Sequence, residues 1–158
     1  MEFLAKLHPF VVHFAISFVI TGVLLDIFGL LLRRKSLENA GFWLIFLSIF
    51  AVWIAYFTGH QAEEIAEETL KITQGKSILE QHEKFGNILP YFVSFLAIIR
   101  VIHHFKLMNI LAFLYIVLGT ISTGLILYTG RLGGILVYEY GAGVKLNISN
   151  QDKFHNED

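Results

Sequence analysis

The chain contains no cysteine. That excludes disulfides, thiolate metal sites, covalently attached c-type haem and iron–sulfur ligation by its own residues. Charge is also scarce: 16% of residues are Asp, Glu, Lys or Arg, against about 25% in a soluble domain. The net charge of −1 leaves no basic field to hold nucleic acid. Proline occurs only twice, against 15 phenylalanines. What is present is apolar. Hydrophobic residues make up 55% of the chain and mean hydropathy is +0.62. Such a surplus does not suit a water-soluble globule and does suit a protein whose solvent is lipid. A length of 158 residues allows one compact domain of ordinary size.

Four apolar runs stand out, at 7–32, 40–59, 85–102 and 107–128. Each is close to or above the ~20 residues needed to cross a ~30 Å hydrocarbon layer. Lipid cannot satisfy free backbone groups, so each span is expected to be helical. The expected fold is an all-α, integral membrane, four-helix up-down bundle over 1–144. Its spans are about 7–32, 40–59, 78–104 and 107–129, and a polar tail follows at 145–158. The first run is too long for a cleaved signal peptide, and it carries His13 and Asp26.

Helix ends can be read locally. Pro9 suits a first helical turn. Ser77-Ile78-Leu79-Glu80 has the form of a capping box, which starts the third helix near Ile78. Gly59 and Gly130 are candidate ends for the second and fourth helices. The stretch 61–72 sets Ile65 and Leu70 among Glu63, Glu64, Glu67 and Glu68, which suggests a short amphipathic helix on the membrane surface. The segment after Gly130 is expected to form a turn or short hairpin over one end of the bundle. No internal repeat is evident by eye.

The two short connections at one end hold Arg33, Arg34, Lys35, Arg100 and Lys106. Dense Lys and Arg in short loops mark the cytoplasmic side, so both termini are expected outside, in a prokaryotic inner or cell membrane. Asp26 and Arg100 fall at similar depth in spans one and three. They are expected to form an ion pair, with a proton-relay role as the alternative.

The seven histidines carry the functional expectation. His8 and His13 open span one, His60 ends span two, and His82 lies near the start of helix three. All four fall at the outer end, whereas His103 and His104 fall at the other. Imidazole inside a bilayer is costly and usually has a partner and a task, and neutral imidazole is a good ligand for iron, copper and zinc. Two facing histidines at equal depth can be the axial ligands of a b-type haem. Counting from Pro9 and Ile78 makes His13 and His82 the expected axial pair, with His8 and His60 as a second pair or as supporting partners. Gly86 and Gly124 would give the porphyrin room, and Arg131 would meet a propionate. One haem b, or two, is the cofactor expected. A non-haem copper, zinc or iron site is the alternative, from His60 with Glu64 and His82 with Glu83. Another alternative is a non-redox scaffold.

The segment Leu7-His8-Pro9-Phe10-Val11-Val12-His13-Phe14-Ala15-Ile16 resembles the opening signature of the family called domain of unknown function 2231. Thr58-Gly59 with Ala62, and His82 with Gly86, resemble two internal signatures. Gly133-Gly134-Ile135-Leu136-Val137-Tyr138-Glu139-Tyr140-Gly141 resembles the closing one. The resemblance implies a small four-helix membrane protein. Relatives joined to or beside cytochrome c and Rieske-type domains imply membrane redox work. A place within a larger complex, with a quinol as donor, is expected. The chain departs from the pattern at Ala15, where proline is usual, and at Tyr140, where histidine is frequent. Electron transfer is expected in preference to stand-alone enzymatic turnover.

Overall fold

The computed structural model describes residues 2–70, 75–106 and 109–144. These form four helices: α1 (Glu2–Leu32), α2 (Lys35–Leu70), α3 (Gly75–Lys106) and α4 (Asn109–Tyr138). No strand occurs among the described residues. All four helices are long and apolar enough to cross a membrane. At 1.5 Å per residue, helices of 30 to 36 residues outrun a ~30 Å hydrocarbon layer, so their ends project beyond it. Phe10, Phe14, Trp43, Phe50, Phe57, Tyr91, Phe95 and Phe113 are exposed. In water such a girdle would be a liability, whereas in a bilayer it is the lipid-facing surface.

The connection between α1 and α2 is only Arg33 and Arg34. Arg33 takes a left-handed conformation (φ 52°), and the Arg34 N–H donates to the Gly29 carbonyl at 2.8 Å. That six-to-one bond closes a Schellman turn and folds α2 back along α1. Short connections make consecutive helices antiparallel, so α1 and α3 run the same way. Each of them packs against both α2 and α4. Three apolar layers fill the bundle. Val19 and Val93 centre one, Ile45, Leu96 and Tyr115 another, and Leu70, Leu79 and Leu136 the outermost.

Five local expectations are corrected. Gly59 does not end α2, and 61–70 is not a separate surface helix but the continuation of α2. Ala62, Glu63, Glu64, Ala66 and Glu67 are good helix formers, and they outweigh a single glycine. Gly130 does not end α4, which runs on to Tyr138 and closes in a turn at Gly141 (φ +67°). Tyr140 tucks into the outermost apolar layer. Pro9 is not in a first turn either: α1 begins at Glu2 and α3 at Gly75, with Pro9 and Pro90 both inside helices, as membrane helices tolerate. The remainder of the stretch, 71–74, and the tail 145–158 with His155 lie outside the described residues.

The bundle is built from two equivalent hairpins. Asp26 and Arg100 are 74 residues apart. The same shift carries α1 onto α3 and α2 onto α4. It also carries buried positions onto buried positions: Val19 onto Val93, Ser48 onto Ser122, Val52 onto Ile126 and Thr58 onto Leu132. The parallel course of α1 and α3 makes this a repeat about an axis running along the bundle.

Candidate functional site: a histidine pair between α1 and α3

Two polar layers lie on that axis, one at each end. At the end bearing the short basic loop, Arg100 donates to Asp26 through Nε (2.7 Å) and Nη2 (2.9 Å), and to the Glu38 carbonyl at 2.8 Å. Asp26 is 1% exposed and Arg100 3%. The Phe42 and Tyr115 rings flank the guanidinium at 5.4 and 5.6 Å. The expected ion pair is therefore present. Its bidentate geometry offsets the cost of burying both charges.

At the other end, 18 residues away on either helix, stand His8 and His82. Their ring centroids are 6.4 Å apart, at 85°. Each ring is anchored by the other helix of its own hairpin, in the same way. His8 Nδ1 donates to the Ala55 carbonyl and His82 Nδ1 to the Thr129 carbonyl. Both bonds are 3.0 Å, and both span 47 residues of sequence. Carbonyl oxygen only accepts, so Nδ1 carries the proton in both rings, and in the neutral form Nε2 keeps its lone pair. Thr58 Oγ1 also lies 3.2 Å from His8 Nδ1. Its own hydroxyl is directed at the Ile54 carbonyl, 2.8 Å away.

The ring faces are set by glycines. A Cβ on Gly59 would stand 3.1 Å from His8 Cε1, and one on Gly133 would stand 3.2 Å from His82 Cε1. Gly59 and Gly133 are themselves related by the 74-residue shift. Each lies four residues after the carbonyl its histidine uses, where a side chain would crowd that oxygen.

The remaining expected site residues lie elsewhere. His13 is on the exposed face of α1, its Nδ1 bonded to the Pro9 carbonyl of its own helix. The structure thus brings His8, not His13, to His82. The difference follows from the helix starts: neither Pro9 nor Ile78 begins its helix, so counting from them sets the wrong residues level. His60 is half-buried, edge-on to Tyr56 and 3.4 Å from Glu63, apart from the pair. Gly86 and Gly124 have open space where a Cβ would be, and Arg131 is exposed on α4. Among the described residues no group of three His, Asp or Glu side chains is placed to hold a metal ion, so the His60–Glu64 and His82–Glu83 combinations are not gathered into one. Gly59 and Gly133 were missed as site residues. The signal was present, since each lies 51 residues after its histidine.

A family model described as predicted membrane protein (DUF2231) matches residues 5–146. The chain belongs to this family. The match spans His8, His82, both anchoring carbonyls and both glycines, so the whole pair lies within the DUF2231 domain. No curated protein and no solved structure matches the chain.

Proposed function

We propose that this DUF2231 protein is a b-type cytochrome-like electron-transfer subunit, and that His8 and His82 are the axial ligands of one haem b. One observation carries the reading: two imidazoles from different hairpins stand with ring centres 6.4 Å apart and with both Nδ1 atoms already committed. A metal–imidazole bond is about 2.0–2.1 Å, so two imidazoles on opposite sides of one metal have ring centres about 6 Å apart. A ligating histidine commonly donates its other N–H to a carbonyl, which fixes tautomer and ring orientation. The donor set fits haem better than a bare ion. Two histidines leave a zinc-type site two ligands short, whereas a porphyrin brings four nitrogens of its own and asks the protein only for the axial pair.

Haem bound there supplies one-electron transfer. The chain's own contribution would be to hold the two imidazoles beside each other with each Nδ1 committed and each Nε2 left to bind. The reading includes an orientation with both termini and the histidine end outside, based on the basic loop at the Asp26–Arg100 end. Electrons would then pass between a membrane donor such as a quinol and an outer-face acceptor of cytochrome c or Rieske type. The test is the dithionite-reduced spectrum of purified variants. His8→Ala and His82→Ala should each lose the low-spin signature, and His13→Ala should keep it. A low-spin spectrum unchanged by His8→Ala overturns the assignment.

A further inference from the structure

We propose that Gly59 and Gly133 are positioning residues of the histidine pair, one for each half of a site made of two equivalent halves. The inference rests on the haem reading for its consequence, though not for its geometry. Three observations meet at each glycine. First, the imidazole lies over it so closely that a methyl group would stand 3.1 Å (Gly59) or 3.2 Å (Gly133) from Cε1. That is too close for comfort, and the ring has to give by a few tenths of an ångström. Second, the glycine is one helical turn beyond the carbonyl that accepts the Nδ1 proton. In a helix that carbonyl already accepts the N–H four residues on, at the glycine itself. The imidazole uses the second lone pair, which a side chain at the glycine position would shade. Third, the arrangement occurs twice at a 74-residue spacing, the spacing that relates Asp26 to Arg100. One glycine under one ring would be ordinary packing. Two at equivalent positions, each serving the same bond, make a built feature.

Three further glycines of α3 and α4 behave differently. Gly86, Gly124 and Gly134 have nothing within 4 Å of where a Cβ would lie. They are internal controls of the same chemistry, and substitution by alanine in a helix is otherwise favourable by about 1 kcal/mol. The sequence pattern alone points to Gly86 and Gly124 as the glycines that make room for a cofactor. Gly59 and Gly133 have a different task, the placing of the two rings.

The full-length chain is compared with five alanine variants, with helix content checked by circular dichroism. The first readout is side-chain 15N NMR of histidine in haem-free protein, which reports ring tautomer directly. Wild type should show His8 and His82 as Nδ1-protonated. Gly59→Ala should disturb His8, and Gly133→Ala should disturb His82. The second readout is haem retention. It should weaken by about 10–100-fold in both variants, the range seen when partners of metal ligands are removed, and should be unchanged in Gly134→Ala. If Gly59→Ala and Gly133→Ala match the three controls in the NMR readout and Gly134→Ala in haem retention, the proposal is wrong. If wild type binds no haem, the haem reading fails. The NMR comparison then decides the positioning role by itself: selective disturbance supports it and none overturns it.

Discussion

Asp26→Asn is the perturbation whose cost can be worked most directly from the structure. The change removes one charge and almost no volume. It leaves the Arg100 cation 3% exposed, with the Glu38 carbonyl as its remaining strong acceptor. Breaking a buried ion pair from one side typically costs about 3–5 kcal/mol, because an uncompensated charge stays behind. Asparagine keeps one acceptor oxygen, which places the expected loss near the lower limit, about 3 kcal/mol. Arg100→Gln should cost about as much, since it strands Asp26 and also forfeits the contacts of the guanidinium with Phe42 and Tyr115. The double variant has no stranded charge. It should be more stable than the sum of the single losses implies, by about 2 kcal/mol of coupling. The assay is unfolding in mixed micelles on raising the SDS fraction, followed by far-UV circular dichroism for all four proteins of the cycle. Additive losses would refute the direct pairing on which this estimate depends.

Three other outcomes follow from the same geometry. His8→Ala and His82→Ala should behave alike in haem content and spectrum because their half-sites are equivalent, while His13→Ala, on the exposed face of α1, should resemble wild type. Arg33→Gly should stabilise the chain by about 0.5–1 kcal/mol in the micelle assay, because a left-handed position that now carries a side chain would be held by the residue that adopts it freely. Alkaline phosphatase fused after Asp158 should be active, since the account puts the C-terminus outside, and an inactive but stably expressed fusion would reverse the orientation.

Much of the fold was legible because lipid imposes a simple rule. A run such as 40–59 without a charge has to span as a helix, and four such runs make an up-down bundle. The Asp26–Arg100 pair was legible for a related reason: depth in a span can be counted, and two opposite charges at one depth inside a bilayer have few other partners. Helix starts were not legible. Pro9 and Ser77 carry local start signals, yet Glu2–Pro9 and Gly75–Ser77 are already helical, because packing continues past the local cue. Counting from those cues sets His13 level with His82, whereas the structure stands His8 beside it. The repeat was hidden because equivalent positions need share only burial, not identity. Val52 answers to Ile126 and Thr58 to Leu132, and at the ion pair the two halves carry opposite charges. Val19 and Val93, Ser48 and Ser122 do keep their identity, as do the paired histidines and their glycines, where a ring that must lie on a backbone leaves no choice at either place.

On the proposed function, His8 and His82 hold one haem iron between them. The most direct measurement is the haem-to-protein ratio of full-length protein purified from haem-replete cells, by pyridine haemochrome, read together with the low-spin spectrum. One haem b per chain is expected, lost when either His8 or His82 is replaced by alanine. Protein that is folded, pure and free of haem after such expression would contradict it.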